Sequence, residues 1–417
     1  MRNKIFFFCG VVIYRALLDY LYIDVISLSY SYQGLSYAKN FVNYCMSWII
    51  LIPLLFVLLS FLKRKEIFIS NVVVLLFLFR FVPLTSLIAC KPIRNDFVFV
   101  EIVFWILIVL SLRLVILSKK HWPFLRQSTL SLSSKKTIIN WVLILSCLII
   151  LFISGFYSRF RINFSFSNVY DLRLEARGFN IPFFLKYLWT ALRNILPVLF
   201  IYYWIEKKKW MCYLIVFIIL LSFSIDGLKS TIFKLFLCII LLIVYRKKMI
   251  VWYPMLFVTL CLTAFAEFKI FNSDWISSTI IRRSLFIPSL LDTYYFDYIY
   301  QNGPIFYQRG GEHISFFIGA EYFGKEEMRS NNGLFSDAYM NLGFLGLIIY
   351  PIIYSFFFRF CESISRGLDE KIVMFVGVIM VSSMNSSELT TCLLTHGLLA
   401  LILLLYFIPK TVNINKY

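Results

Sequence analysis

The chain has 417 residues, of which 60% are hydrophobic and only 15% charged, with a mean hydropathy of +0.81. Repeated apolar runs of about 20 residues with charged flanks mark an all-α, polytopic integral membrane protein. They exclude a β-barrel, which shows short alternating segments. The formal net charge of +19 is the topology signal of such a protein rather than a nucleic-acid patch. The nine cysteines lie in or beside apolar runs without C-x-x-C spacing, so they read as small hydrophobes, not as a disulfide or metal framework.

About twelve transmembrane helices are predicted, at 5–24, 41–62, 67–89, 97–117, 138–156, 183–205, 210–225, 230–245, 249–267, 339–361, 372–387 and 389–408. The first apolar stretch begins at Ile5 and lacks a small-residue cleavage site, so it reads as a retained span. The pattern divides the chain into N-terminal transmembrane helices (1–268, with an outer loop at 155–182), a large loop (269–338) and C-terminal transmembrane helices (339–417). With both termini in the cytoplasm, every short basic cluster faces inward. These clusters are Lys63-Arg64-Lys65, Lys119-Lys120, Lys135-Lys136, Lys207-Lys208-Lys209 and Arg246-Lys247-Lys248. The tight turn from Ser224 to Ser230 and the connection Ser387-Glu388 are the weakest points of this topology.

Lysine dominates the inner clusters and arginine the outer segments. Topology asks only for positive charge, whereas the planar arginine fork recognises phosphate or carboxylate bidentately. Two outer loops concentrate the arginines, and that favours a polyanionic ligand over contact with headgroups alone. In 155–182, the run Asp171-Leu-Arg-Leu-Glu-Ala-Arg177 is predicted to form a short helix with Arg173 and Arg177 on one face and Asp171 and Glu175 on another. A self-neutralising surface helix explains that pattern equally well. In 269–338, adjacent Arg282 and Arg283 point about 100° apart on a helix, so only one faces a given ligand well. Their segment reads as an interfacial helix. The aromatic run that follows, from Tyr294 to Tyr300, suits the membrane interface or stacking on sugar rings.

Ionisable residues inside spans are functional candidates by default. Arg15 and Asp19 pair at i, i+4. Arg80, Arg113, Arg193, Lys234 and Glu267 have no evident local partner, and Arg80 is deep enough to require one. The three histidines are dispersed, so no metal site is expected. There is no D-x-D pair, Walker A loop or G-x-G-x-x-G. What remains is a metal-free, cofactor-free, outward-facing site suited to a lipid-borne phosphate or pyrophosphate leaving group.

Three stretches, in order, carry a family resemblance. Residues 281–298 (IRRSLFIPSLLDTYYFDY) are similar to the RR-x-F-x-x-P…YYFDFF stretch of O-antigen polymerases, the Wzy family. Residues 331–346 (NNGLFSDAYMNLGFLG) are similar to that family's N-x-G…G-x-x-G start of the next span. Residues 318–323 (IGAEYF) lie between them, where the family often has a like string. The Arg-x10-Gly motif described for some members is absent from both outer loops. The resemblance implies a GT-C-like glycosyltransferase of the bacterial inner membrane with its active face in the periplasm. It would move a growing glycan from undecaprenyl pyrophosphate to the non-reducing end of the next lipid-linked repeat unit, without metal. Partners implied are undecaprenyl-pyrophosphate-linked oligosaccharides, membrane lipid, and a chain-length regulator and flippase of the same pathway, with no nucleic acid.

In that chemistry negative charge builds on the departing pyrophosphate, and arginines stabilise it. Arg282 and Arg283 are the first candidates, Arg173 and Arg177 the second, with Asn331 and Asn332 as further substrate-binding residues. A base takes the acceptor hydroxyl's proton; His313, Glu312, Asp337 and Asp297 are the candidates. The alternatives are a lipid-linked oligosaccharide flippase, for which broken helices near midplane are expected, and an O-antigen ligase.

Overall fold

A computed structural model describes residues 2–63, 66–117, 130–162, 169–307 and 313–410. Among them every regular element is helical. Nine helices are long and apolar enough to cross a membrane: Arg2–Gln33, Phe41–Leu58, Ile67–Cys90, Asn95–Leu114, Leu132–Ser158, Phe183–Ile205, Lys209–Asp226, Met249–Phe271 and Phe335–Ser365. Three further expected spans take shorter or broken forms. Lys229–Val244 has 16 residues and Glu370–Ser386 has 17. The expected span at 389–408 is interrupted: helix Leu389–Leu393 stops, and Leu398–Phe407 begins after Gly397, whose φ is +71°.

The chain divides into two compact units. Unit 1 comprises Met1–His121, Lys247–Arg359 and Val381–Leu389; unit 2 comprises Trp122–Arg246, Phe360–Met380 and Thr390–Tyr417.

Unit 1 is built around Ile67–Cys90, of which 94% of the most apolar window is buried. A helix covered on all sides is expected to be apolar nearly all round, and the run from Ile67 to Leu76 is so apart from Ser70 and Asn71, whose side chains bond to the Phe61 carbonyl and the Tyr253 hydroxyl. A π-helical turn at Phe77–Phe81 then inserts one residue into the winding, a device that re-aims side chains. Arg80 sits in that turn. Phe41–Leu58 packs along Val82–Cys90, and Arg2–Leu21 along Tyr253–Phe271. Asn40 caps the former, its Oδ1 accepting from the backbone N–H groups of Val42 and Asn43.

The large loop at 269–338 is folded rather than laid over the surface. Glu267 accepts from the Ser273 hydroxyl and the backbone N–H groups of Trp275 and Ile276, turning the chain. A π-helix follows at Ser277–Phe286, then Ile287–Asn302 and Ile314–Phe323. Ile287–Asn302 buries Leu290, Leu291, Asp292, Tyr295 and Phe296, and it packs on Val82–Cys90. The described helices of this loop thus pack into unit 1, because they carry too many apolar residues to lie in water. The next helix, Phe335–Ser365, is broken at Gly343, with φ +56° and ψ −136°, a conformation open essentially to glycine.

In unit 2, Phe183–Ile205 packs against Lys209–Asp226, Lys229–Val244 and Leu398–Phe407. The predicted short helix forms at Val169–Arg177 and packs on Lys209–Asp226, where Val169, Phe223 and Ile232 make a small core.

Candidate functional site

The partners that the sequence left open for the buried charges come from distant segments. Arg80 meets Asp292 with two parallel hydrogen bonds, Nε to Oδ2 at 3.0 Å and Nη2 to Oδ1 at 2.7 Å. Its Nη1 donates to the Oδ1 atoms of Asn332 and Asn385, at 3.1 and 3.0 Å. Ser336 and Asn332 complete Asp292 Oδ1, at 2.6 and 2.9 Å. Burial raises the Asp292 pKa, and the Arg80 charge acts in the opposite direction. Arg80 and Asp292 are almost fully enclosed, so this network fastens four segments and offers no free valence to a ligand. Arg15 pairs with Asp19 as expected, Arg113 donates to Ser60 Oγ at 2.7 Å, and Arg193 pairs with Asp226 at 2.5 Å.

The candidate bases divide into two groups. Asp337 is buried and wholly engaged: Asn341 and Tyr350 donate to its Oδ1 at 2.9 and 3.0 Å, and the Leu389 N–H donates to Oδ2 at 2.7 Å. That arrangement anchors a chain end instead of presenting a base. Asn332 is likewise committed within the Arg80 network, while Asn331 is exposed. Glu312 lies outside the described residues.

His313 is different. It caps Ile314–Phe323, its Nδ1 accepting from the Ser315 N–H at 3.3 Å, while Nε2 lies 3.4 Å from Glu388 Oε1. The imidazole is 42% exposed, the carboxylate 11%. Ser315 Oγ also lies 2.9 Å from Nδ1, so both ring nitrogens are engaged: a buried acid orients the ring through Nε2, and Nδ1 is open to a proton only when its contacts with Ser315 yield. Glu388 comes from the short connection before Leu389; an acid between two apolar runs is the sequence signal for it.

Asp297 is held 3.3 Å from Arg94 Nη1. Burial raises its pKa, and Arg94 opposes that rise. Arg94 also lies over the Tyr300 ring at 4.5 Å, and Lys91 over Tyr294 at 5.4 Å. Tyr294 stacks on Tyr322 at 4.1 Å. Lys91 and Arg94 were not among the expected site residues; the short connection they occupy between two spans is the signal for them. Together these side chains make a mixed aromatic and charged platform of the kind that stacks on sugar rings.

The two arginines of the π-helix diverge, as their adjacency requires. Arg282 is half-buried, stacked on Tyr30 at 4.2 Å and donating to Gln33; burial lowers its pKa. Arg283 is exposed. The neighbouring Ser284 carbonyl accepts from Asn385 Nδ2 at 3.2 Å, so the π-helix is tied three residues from Glu388. Arg283 and the His313–Glu388 pair therefore belong to one end of unit 1.

In unit 2, Arg177 is exposed and Arg173 partly buried. Glu175 pairs with Arg161, whose carbonyl accepts from Ser224 Oγ at 2.6 Å. The short helix is thus partly neutralised by its own loop. Among the described residues no group of three or more His, Cys, Asp or Glu side chains is disposed to hold a metal. No known protein family, curated protein or solved structure matches the chain.

Proposed function

We propose that this chain is an O-antigen polymerase: a glycosyltransferase that transfers the growing glycan from undecaprenyl pyrophosphate to the non-reducing end of a lipid-linked repeat unit. The reading adds the three shorter or broken helical segments to the nine long ones to give twelve spans in a GT-C-like arrangement. It sets both termini in the cytoplasm and the His313 end of unit 1 in the periplasm of the inner membrane. The observation that carries it is the half-exposed His313 ring against Glu388, with His313 lying between the first two stretches that resemble the polymerases.

The acceptor hydroxyl oxygen attacks the anomeric carbon, and the bond from that carbon to the pyrophosphate oxygen breaks. The electron pair leaves with the pyrophosphate. The hydroxyl proton passes to His313 Nδ1 as that nitrogen gives up its contacts with Ser315, while Glu388 steadies the ring through Nε2; such a transfer contributes on the order of 10²–10⁴-fold. Arg283, with Arg282 behind it, stabilises the charge on the departing pyrophosphate. Tyr300 and Tyr322, the latter backed by the buried Tyr294, offer faces to the sugars, with Asp297 and Arg94 bonding to hydroxyls.

Deletion of the gene tests the reading. Surface lipopolysaccharide carrying a single repeat unit, with the ladder gone, supports it. A core bearing no repeat unit at all overturns it in favour of transport or ligation. The transport reading has structural observations of its own, the breaks at Gly343 and Gly397, since transporters bind substrate at discontinuous helices.

A further inference from the structure

The break at Gly397 lies beside charges that the polymerase reading does not use. Gly397 is pressed onto Phe183–Ile205: a Cβ there would sit 2.4 Å from Ala191 Cα. One turn on, Asn194 holds the break from the side, its Nδ2 donating to the His396 carbonyl at 2.5 Å. The same amide accepts from Lys234 Nζ at 2.6 Å through Oδ1. One side chain thus fixes both the broken helix and a lysine ammonium.

The charges around it do not balance. Arg193, 7% exposed, forms an ion pair with Asp226 and stacks on Trp189 at 4.2 Å. Its Nε is buried and has no hydrogen-bond partner. Lys234 lies within electrostatic reach of Arg193 and of His396. It forms no ion pair with any carboxylate among the described residues, and its one hydrogen bond leaves two N–H donors free. Leu398–Phe407 begins here, and the first N–H groups of a helix lack intrahelical acceptors and carry a partial positive charge. Two cations answered by one acid thus stand in one neighbourhood of an apolar unit, where uncompensated charge is costly: Lys234 is tied through Asn194 to the residue before the helix start, and Arg193, next to Asn194 in the chain, keeps an orphaned donor within electrostatic reach of Lys234.

We propose that Arg193, Lys234 and the first turn of Leu398–Phe407 hold a phosphate-class anion inside unit 2. A tetrahedral oxyanion fits donors arriving from three directions. A guanidinium N–H (here Nε, since Nη2 is held by Asp226), a lysine point charge and helix-start N–H groups are each a recurrent phosphate ligand. The phosphate comes either from a lipid headgroup or from free inorganic phosphate or pyrophosphate. The proposal is independent of the His313–Glu388 chemistry, and its test reads binding, not polymer.

The full chain is purified in maltoside detergent micelles, which carry no phosphate, and thermal unfolding is followed under three additions. These are soluble inorganic pyrophosphate, undecaprenyl phosphate in the micelle, and phosphatidylglycerol in the micelle. Stabilisation by soluble pyrophosphate identifies a free anion; stabilisation only by a lipid-borne phosphate identifies a headgroup. Lys234→Gln, which keeps a donor for Asn194, should weaken the response by about tenfold or more, the scale of a lost charged hydrogen bond. Lys234→Arg should retain it. If Lys234→Gln does not accumulate, Lys234→Met replaces it. No stabilisation of the wild-type chain by any addition, or an undiminished response in the neutral variant, overturns the proposal.

Discussion

Arg80 and Asp292 stand 212 residues apart in the chain and meet through two parallel hydrogen bonds of 2.7 and 3.0 Å, with both side chains buried. A buried pair of this kind is costly to break from one side, because the remaining charge is left uncompensated. Asp292→Ala should therefore destabilise the protein by about 3–5 kcal/mol, read as loss of monodisperse protein in detergent and a lower melting temperature. The double variant Arg80→Met, Asp292→Leu should be closer to wild type than either single change. A single variant as stable as wild type would show that the pair does not hold the loop's helices in unit 1.

His313 and Glu388 carry the proton-transfer role in the polymerase reading. His313→Ala and Glu388→Gln should each cut glycan polymerisation by about 10²–10⁴-fold, with protein level in the membrane unchanged. Asp337→Asn should act differently. It removes an acceptor from a buried anchor, so it should lower protein level together with activity. A full ladder from His313→Ala would remove the pair from the chemistry.

Arg283 is exposed and Arg282 half-buried. Arg283→Ala should abolish the ladder at normal protein level, whereas Arg282→Ala should also loosen the contact with Tyr30 and Gln33. Quantifying protein and polymer side by side separates the two. Equal protein and a full ladder in the double alanine variant would exclude both residues from pyrophosphate binding.

Gly333 lies beneath the connection that carries Glu388. A Cβ at this position would stand 2.0 Å from the Met384 carbonyl oxygen and 2.4 Å from that of Ser387. Backbone atoms cannot rotate away, so Gly333→Ala should cost about 1–3 kcal/mol or more and displace Glu388. The expected readout is a lower melting temperature with a weakened ladder.

Asp297 supplies a pH dependence. Its pKa is raised by burial and held down in part by Arg94. A carboxyl whose folded pKa exceeds its unfolded value favours the folded state below the unfolded pKa, and that advantage is lost as pH rises through the folded pKa. Arg94→Ala should raise the folded pKa further. The variant should then lose stability relative to wild type as pH rises above the ordinary carboxylate range, and recover on acidification. Melting curves from acid to neutral pH check the sign.

Hydropathy alone determined that the chain is a helical membrane protein, and it located seven of the nine long spans to within about four residues at each end, the helices Arg2–Gln33 and Leu132–Ser158 running longer than expected. That legibility has a physical cause: a helix in hydrocarbon must satisfy its backbone internally and show apolar side chains for about 20 residues. Local spacing determined the Arg15–Asp19 pair, the short helix bearing Arg173 and Arg177, and the divergence of Arg282 from Arg283, since each depends on helical periodicity alone.

What the tertiary structure decided is everything that joins distant segments. It gave Arg80 its partner, folded 269–338 into unit 1 and enclosed Asn332 and Asp337. It also set Glu388 beside His313 and opened the last span at Gly397. None of these follows from a local pattern. A charge in an apolar setting announces that it needs a partner, but only the packing of helices far apart in sequence determines which side chain fills that need.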